Sequence, residues 1–302
     1  MRLAVQGAGR VGKRHIEHVA NEDCADLVAI FASSPDTEPL ADRMDVAWYP
    51  TFAAMAHEDE PEGVIMATLN QMHVGNSLEA VDAGVAVLIE KPIAEDVAAA
   101  TRPVEAAEQA GVLLLVGHHR RYNLLVQDAK RAIDCSRIGQ MVAVHGRCWF
   151  YKLDDYFDVA WRREKRAGPI FLNLIHDVDL LRYLGGDVMQ VQAIEFNARR
   201  RNAVEDTAVI LLKFAGGTLG SLSVPCLELW RHTGKPSWQA PIACERLPVA
   251  ARASLGLQVQ HFCGVIRGPA QPVVSGREGL SPLKAMTAVE EAAATGGAID
   301  VD

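Results

Sequence analysis

The chain has 302 residues, of which 49% are hydrophobic and 23% are charged. This apolar share is ample for a packed core and excludes an intrinsically disordered chain, and at roughly 100–200 residues per domain the length predicts two domains. Lys and Arg number 30 against 38 Asp and Glu, which gives a net charge of −8. Because such a surface does not attract phosphate backbones or anionic lipid, neither nucleic acid nor a membrane is expected as a partner.

Targeting segments and cysteine spacing restrict the class of protein further. The longest apolar runs, at 85–89 and 112–116, have the length of strands. They fall far short of the roughly 20 residues that a membrane-spanning helix needs. The chain begins directly with a strand-like segment, so no secretory signal is predicted. The six cysteines include no Cys-x-x-Cys pair, so we expect no disulfides, no metal site and a cytoplasmic location.

Residues 1–121 alternate between strand-like and helix-like segments. The predicted strands are 3–6, 26–32, 64–68, 85–90 and 112–117, and the predicted helices are 11–20, 51–57, 74–83 and 95–110. The strand segments are continuously apolar, which is typical of a parallel sheet covered by helices on both faces. We therefore expect an α/β domain here, with a doubly wound parallel sheet and right-handed crossovers.

Residues 122–302 have a different pattern, because strands follow one another with few helices between them. The predicted strands are 140–150, 189–198, 207–214 and 218–224, and the predicted helices are 124–133, 169–184, 255–266 and 278–294. The segment Phe-Ala-Gly-Gly-Thr at 214–218 is a hairpin signal. This order predicts a second, α+β domain around an open, mainly antiparallel sheet.

A glycine motif follows the first predicted strand and opens the first predicted helix. It reads Gly-Ala-Gly-Arg-Val-Gly at 7–12. In such a motif the first glycine permits a tight turn, the second lets the backbone approach a pyrophosphate, and the third lets helix and strand pack closely. The helix N-terminus then faces the anion. The motif predicts a dinucleotide site formed by Gly7, Gly9, Arg10, Val11 and Gly12.

The end of the second predicted strand bears on the choice between NAD and NADP. An NAD site usually has Asp or Glu at this strand end, about 20 residues after the glycines. In this chain Ser33 and Ser34 stand at that place, and Asp36 follows only later. The serines can bond a 2′-phosphate, with charge from Arg10 or Arg43, which favours NADP or use of both cofactors. The alternative that the serines merely cap the next helix stays open.

Two loops at the carboxyl ends of predicted strands carry polar side chains. Glu90-Lys91-Pro92 follows one strand, and Thr68, Asn70 and His73 follow another. Ligand sites of open α/β sheets lie at this edge. A lysine there can bond a reacting hydroxyl and stabilise alkoxide charge. A solvated loop charge is the alternative explanation of Lys91.

The predicted helix at 169–184 is apolar but contains polar residues on one face. Asn173 and His176 are three residues apart, and Asn173 and Asp177 are four apart. Burying such groups is costly unless they are hydrogen-bonded or used. His176 is therefore a candidate proton acceptor, and a hydrogen-bonded core histidine is the alternative.

Together these motifs resemble one family in content and in order. They are the glycine motif, Glu90-Lys91-Pro92, Gly-His-His-Arg-Arg-Tyr at 117–122, Ile-His-Asp-Val-Asp at 175–179 and Pro-Val-Val-Ser-Gly-Arg-Glu-Gly at 272–279. The chain resembles the glucose–fructose oxidoreductase, inositol dehydrogenase and MocA-like (Gfo/Idh/MocA) family over nearly its whole length. The resemblance implies an N-terminal Rossmann domain at 1–121, a C-terminal α+β domain at 122–302, and NAD(P)-dependent hydride transfer to or from sugars, cyclitols and related polyols.

The resemblance also implies roles for individual residues. Lys91 matches the family's catalytic lysine and His176 its catalytic histidine, and Arg120 matches a residue at the domain junction. The expected cofactor contacts beyond the glycine motif are Ser33, Ser34, Thr68, Asn70, His73, Glu90, Lys91 and Arg120, and the expected substrate contacts are Lys91, Tyr122, Trp161, Arg162, Asn173 and His176. Family members often pair their C-terminal sheets, so a homodimer or homotetramer is expected.

The chain departs from the family pattern in two places. Many members carry an aspartate four residues before the histidine, where this chain has Leu172 with Asn173 beside it. Asn cannot accept a proton, so an Asp–Lys–His relay is incomplete. The second domain is also short, by a few tens of residues near 216–230. These departures keep a second hypothesis open, namely a dinucleotide-binding regulator without catalytic activity.

Overall fold

The computed structural model describes residues 1–146, 157–159, 163, 169–196, 205, 207–222, 229–232, 242–245 and 253–301. The chain divides into two compact units. Unit 1 contains Met1–Tyr122 and Ala253–Leu283, and unit 2 contains Asn123–Arg252 and Lys284–Asp302. In the described part of the chain, no helix is both long and apolar enough to cross a membrane.

Among the described residues, strands and helices alternate along the first 122 positions, and strands outnumber helices after them. The strands are β1 (Arg2–Gln6), β2 (Asp26–Phe31), β3 (Ala47–Tyr49), β4 (Gly63–Met66), β5 (Ala86–Ile89), β6 (Leu114–Val116), β7 (Ala143–Gly146), β8 (Val188–Phe196), β9 (Thr207–Phe214), β10 (Leu219–Leu222), β11 (Leu229–His232), β12 (Ile242–Glu245) and β13 (Ile299–Asp300). The helices are α1 (Arg10–Ala20), α2 (Glu38–Arg43), α3 (Phe52–Asp59), α4 (Asn70–Asp82), α5 (Val97–Ala110), α6 (Leu124–Asp134), α7 (Pro169–Gly185), α8 (Ser254–Ile266) and α9 (Gly276–Thr295).

Unit 1 is built on a parallel sheet with the strand order β3-β2-β1-β4-β5-β6. The predicted doubly wound α/β fold is confirmed. The strand order reverses between β1 and β4, and a sheet of this type places its ligand site outside the carboxyl ends of the strands at that point. β1, β4 and β5 are buried almost throughout, which explains why their sequences are continuously apolar.

Residues 253–283 lie in unit 1, whereas the sequence predicts them in the second domain. The reason is the apolar face of α8, which packs on α1. Val259 and Phe262 of α8 are fully buried in the same core cluster as Leu3 of β1 and Ile16 of α1. Burial of a Val or Phe side chain stabilises by roughly 1.5–3 kcal/mol, so this contact fixes the late segment on the first domain.

Unit 2 is built on a five-stranded sheet with the order β13-β8-β9-β10-β7. The pairs β13–β8, β8–β9 and β9–β10 are antiparallel, and β10–β7 is parallel. The expected open, mainly antiparallel sheet is therefore confirmed. Phe214 N donates to Thr218 O at 3.0 Å and closes the predicted hairpin between β9 and β10.

One face of this sheet exposes several large apolar side chains. Side chains alternate along β8 and β9, so that Ile210 and Leu212 are buried while their neighbours point outward. The exposed large apolar residues of the sheet include Ile194 (73% exposed), Phe196 (64%), Val209 (56%), Leu211 (50%) and Leu219 (60%). Ile194 and Val209 stand directly opposite each other in the β8–β9 register. Phe196, Leu211 and Leu219 stand opposite Thr207, Gln192 and Lys213, so the outer face is a group of apolar side chains among polar ones. A cluster of exposed apolar side chains of this kind is typical of an interaction site.

Candidate cofactor and catalytic site

The glycine loop joins β1 to α1 with very close backbone packing. Gly7 has a φ of +89°, and a Cβ on it would lie 2.7 Å from the carbonyl oxygen of Ala67. A Cβ on Gly12 would lie 2.1 Å from the carbonyl oxygen of Gly7. Only glycine satisfies both positions, because a side chain at either would push α1 away from β1 and β4. This closeness places the start of α1 at the carboxyl edge of the sheet.

Gly9 has a different role from the other two glycines. It is the N-cap of α1, its φ is −68°, and a Cβ on it would meet no atom within 4 Å. The first turn of α1 contains no acidic residue and its cap offers no side-chain acceptor, so the helix N–H groups stay available to an anion. This open cradle fits a pyrophosphate. Arg10 and Val11, the other predicted contacts of the motif, are both exposed beside it.

The two serines after β2 differ in their surroundings. Ser34 Oγ accepts a hydrogen bond from Asp36 N at 3.3 Å and donates to Asp36 Oδ2 at 3.2 Å, so it caps the short 3-10 helix Pro35–Thr37. Ser33 is exposed at the end of the strand. Arg43 Nη1 donates to Pro39 O within its own helix. The capping alternative therefore applies to Ser34, and Ser33 remains a candidate cofactor contact.

The loop after β4 lies against the glycine loop. Thr68 Cγ2 would be 3.2 Å from a Cβ on Gly7. Asn70 begins α4 and is half-buried. His73 is buried, with Nδ1 2.9 Å from Pro92 O and Nε2 3.2 Å from Thr68 O. Burial lowers the pKa of His73, and a neutral ring donates from one nitrogen only. The ring of His73 therefore lies between the loops after β4 and β5 and donates a hydrogen bond to the carbonyl of one of them.

Three exposed apolar side chains surround this edge of the sheet, and the sequence motifs point to only one of them. Val11 is 42% exposed at the start of α1, and Leu69 and Met72 are 53% and 42% exposed at the start of α4. Exposed apolar groups beside a polar loop suit the face of an aromatic ring in a ligand. Leu69 and Met72 could have been identified from the sequence, because they are apolar residues at the start of the helix that directly follows a buried strand.

Glu90 turns inward and bonds two parts of unit 1. His15 Nε2 of α1 donates to Glu90 Oε1 at 2.8 Å, and Lys91 N donates to Glu90 Oε2 at 3.2 Å. Burial raises the pKa of Glu90, but the His15 hydrogen bond and the positive charges of His15, Lys91 and His119 outweigh it and lower the pKa to about 2. Glu90 is expected from the sequence to contact the cofactor. In this structure its carboxylate bonds His15 and the backbone of Lys91.

The 3-10 helix His119–Tyr122 packs on α8 within unit 1. His119 Nδ1 lies 3.0 Å from Ser254 Oγ, and burial, assisted by the Arg120 and Lys91 charges and opposed by Glu90, lowers the pKa of His119 to about 4. Tyr122 is 3% exposed, and its ring is 5.2 Å from that of His261. Arg120 is half-buried. Tyr122, an expected substrate contact, therefore packs against α8.

The second predicted catalytic residue lies in unit 2, on α7. His176 is 7% exposed and Asp179 is fully buried, while Leu172 and Asn173 are half-buried. The predicted helix is confirmed over Pro169–Gly185, so Asn173 and His176 share a face one turn apart. Leu172 occupies the position four residues before His176. Trp161 and Arg162, the remaining expected substrate contacts, lie outside the described residues.

The open space at Gly9 permits a test of the pyrophosphate cradle. In Gly9→Ala the methyl group meets no atom within 4 Å, so we expect the free energy of unfolding to stay within about 0.5 kcal/mol of the wild type. The same methyl group fills the cradle, so the affinity for nicotinamide dinucleotides should fall at least tenfold, equivalent to about 1.4 kcal/mol. Urea unfolding and titration followed by nicotinamide fluorescence measure the two effects.

Gly12→Ala is the matched control for this variant. Its methyl group would collide with the carbonyl oxygen of Gly7 at 2.1 Å. We expect the protein to lose stability by about 1–3 kcal/mol, as overpacked sites do. A Gly9→Ala protein with wild-type affinity would contradict the assignment of the cradle.

The buried Glu90 predicts a specific acid sensitivity. Its pKa falls from 4.5 to about 2 on folding, so its contribution to stability is complete above pH 4.5 and is lost as the pH falls toward 2. Between pH 4.5 and 3 the wild type should lose stability more steeply than Glu90→Gln, by up to about 1.4 kcal/mol per pH unit. Urea unfolding at several pH values measures both slopes. Equal slopes would mean that Glu90 is not held ionised in the fold.

Comparison with known families covers most of the chain. Residues 1–118 match the family described as "Oxidoreductase family, NAD-binding Rossmann fold", and residues 126–233 match the "GFO/IDH/MocA C-terminal domain".

Individual proteins of known name are similar to this chain over most of its length. The chain is 28% identical over 272 residues to 1,5-anhydro-D-fructose reductase of Ensifer adhaerens, with 81% of each chain covered. It is 26% identical to D-apiose dehydrogenase of Paraburkholderia graminis over 335 positions, which cover 99% of this chain and 89% of the relative. That alignment is longer than the 302-residue chain, so the relative contains segments that this chain lacks.

Solved structures extend the likeness to three dimensions. The WlbA dehydrogenase of Bordetella pertussis, in complex with NADH and UDP-GlcNAcA, superposes with a TM-score of 0.84 at 26% identity. The match covers all of this chain and 98% of that one. The two domain matches show that the chain belongs to the Gfo/Idh/MocA family of oxidoreductases, with an NAD-binding Rossmann domain and the family's C-terminal domain.

Proposed function

We propose that the protein is an NAD(P)-dependent dehydrogenase or reductase that acts on a secondary alcohol or carbonyl of a sugar, cyclitol or related polyol. The observation that carries the proposal is the open cradle at Gly9, together with the bond from Glu90, the residue before Lys91, to the same helix through His15. Relatives named as 1,5-anhydro-D-fructose reductase and D-apiose dehydrogenase support the substrate class.

The proposed chemistry divides between two side chains. When bound, the nicotinamide supplies the hydride acceptor or donor. In the oxidative direction, Lys91 holds the substrate oxygen and stabilises its developing negative charge. His176 accepts the hydroxyl proton. Because Leu172 has no ionisable group, the proton transfer rests on His176 and Lys91 without an aspartate between them.

We expect the protein to use NADP, or to use both NAD and NADP. The support comes from the segment after β2, where Ser33 is exposed and the next carboxylate along the chain, Asp36, accepts a hydrogen bond from Ser34. The strand end itself therefore has no carboxylate that would repel a 2′-phosphate.

A ligand titration followed by an activity panel tests the function. A ligand that binds the folded state alone raises the melting temperature by mass action, so NAD and NADP are compared first by thermal shift. Turnover is then followed by nicotinamide absorbance with a cyclitol, several aldoses and a sugar acid. In Lys91→Ala, kcat should fall at least about a hundredfold while cofactor affinity is retained. Unchanged turnover would remove Lys91 from the mechanism.

The same panel decides the alternative. A protein that binds a dinucleotide but turns over no member of the panel is better explained as a regulator. Leu172 would favour that explanation, because it stands where many family members carry an aspartate.

We also propose that the apolar outer face of the unit 2 sheet joins copies of this chain into a homodimer or homotetramer. An interface of this kind removes the exposed Ile194, Phe196, Val209 and Leu211 from water. The double variant Ile194→Glu/Val209→Glu places two charges at the centre of the patch.

We expect this double variant to be a monomer by size-exclusion chromatography with light scattering, at a concentration where the wild type is an oligomer. Leu125→Glu on α6 is the matched control, because Leu125 is an exposed apolar residue (37%) on a helix rather than on the sheet. An oligomer that survives in the double variant would place the interface elsewhere.

A further inference from the structure

A buried acid–base pair connects α1 to the loop that contains Lys91. His15 is fully buried and Glu90 is 8% exposed, and His15 Nε2 lies 2.8 Å from Glu90 Oε1. The second oxygen of the carboxylate accepts the backbone N–H of Lys91 at 3.2 Å. The carboxylate therefore bonds α1, 75 residues away in the chain, and also the backbone of the residue that directly follows Glu90.

The position of His15 on α1 relates this pair to the pyrophosphate cradle. His15 is six residues after Gly9, which is about 9 Å along the helix axis. Since a helix is stiff over this length, the Glu90 carboxylate holds the backbone of Lys91 at a fixed distance from the start of α1. Gly117 leaves the room that the carboxylate needs, because a Cβ there would lie 3.0 Å from Glu90 Cδ.

Fold stability alone is a poor explanation of the pair. Removing a carboxylate from water is costly, and replacing a buried charged pair by apolar residues of similar volume is often neutral or stabilising. Glu90 is also unsuited to carrying a proton in the reaction, because it is buried and its pKa is about 2. What the pair supplies and an apolar contact does not is a directional bond to the backbone of Lys91.

We propose that Glu90 and His15 are positioning residues for Lys91, which fix the Lys91 loop relative to the helix N-terminus that receives the cofactor pyrophosphate. This inference rests on the proposed function, in which the Lys91 ammonium holds the reacting oxygen. A misplacement of a catalytic group by about 1 Å can lower a rate about a hundredfold. The pair would thus act on kcat and leave cofactor affinity unchanged.

Two variants separate positioning from folding. Glu90→Gln keeps the size of the side chain but leaves only one acceptor atom for the two bonds that Glu90 makes. Glu90→Leu/His15→Leu replaces the whole pair by apolar groups and avoids an unpaired buried charge. Glu108→Gln is the matched control, because it removes a carboxylate bonded to Arg277 at 2.6 and 2.7 Å on the exposed side of unit 1.

The first measurement is kinetic, with NAD or NADP and the polyol that the wild type turns over best. In the double variant we expect kcat to fall roughly ten- to hundredfold, with the dissociation constant of the dinucleotide within about twofold of the wild type. Glu90→Gln should likewise lower kcat and leave the dissociation constant of the dinucleotide nearly unchanged. Glu108→Gln should match the wild type in both quantities. A folded double variant that binds the dinucleotide and has the wild-type kcat would overturn the proposal.

The second measurement needs no turnover. Acetic anhydride labels lysine amines, and mass spectrometry of the cofactor-free protein gives the rate at each lysine. Without the bond to α1 the loop that contains Lys91 opens more often, so Lys91 should be acetylated at least about threefold faster in both variants, while the exposed Lys13 labels at an unchanged rate. Should the wild type turn over no polyol, the proposed function fails, and the labelling alone then decides: equal rates at Lys91 would overturn the positioning role.

Discussion

The approach of α1 to the ends of β1 and β4 is the constraint on which the candidate site depends. It requires glycine at two positions, because a Cβ at Gly7 or Gly12 would collide with backbone oxygen atoms. The same approach puts the helix N–H groups at the strand-order switch point and leaves the space at Gly9 open. It also brings His15 close enough to bond Glu90 at 2.8 Å. Backbone packing, the cofactor cradle and the support of Lys91 thus share one geometric cause.

The local parts of this arrangement can be predicted from the sequence, and the long-range parts cannot. The glycine spacing and the buried strands are local patterns, so the Rossmann sheet and its ligand edge follow from them. β3 is not predicted, because it has three residues and none of them is buried. The periodicity of α8 identifies a helix but not its partner, and its place on α1 arises from packing across more than 230 residues of chain, as in the Gln260–Glu22 contact. Residue spacing contains no information on such a pairing.

The candidate site likewise has parts that can be predicted from the sequence and parts that cannot. Lys91 and His176 are found from short motifs, whereas the contact between His15 and Glu90 joins residues 75 positions apart. One signal for it is nevertheless present in the sequence. The buried residues of α1 are Gly12, His15, Ile16 and Val19, so His15 stands on the apolar face of an amphipathic helix. A histidine in such a position needs a buried partner, and the nearest source of one in an α/β sheet is a strand end.

The ionisable groups around Lys91 also limit where the reaction can place its proton. The pKa of Glu90 is about 2, that of His119 is about 4, and that of the buried His73 is lowered. At neutral pH the carboxylate of Glu90 therefore stays ionised, and the rings of His119 and His73 stay neutral. They therefore act through fixed charge and hydrogen bonds, which need no reorganisation during a reaction. These three groups are therefore not suited to take up the hydroxyl proton at neutral pH, and the proposed mechanism assigns that proton to His176, the residue whose motif resembles the family's catalytic histidine.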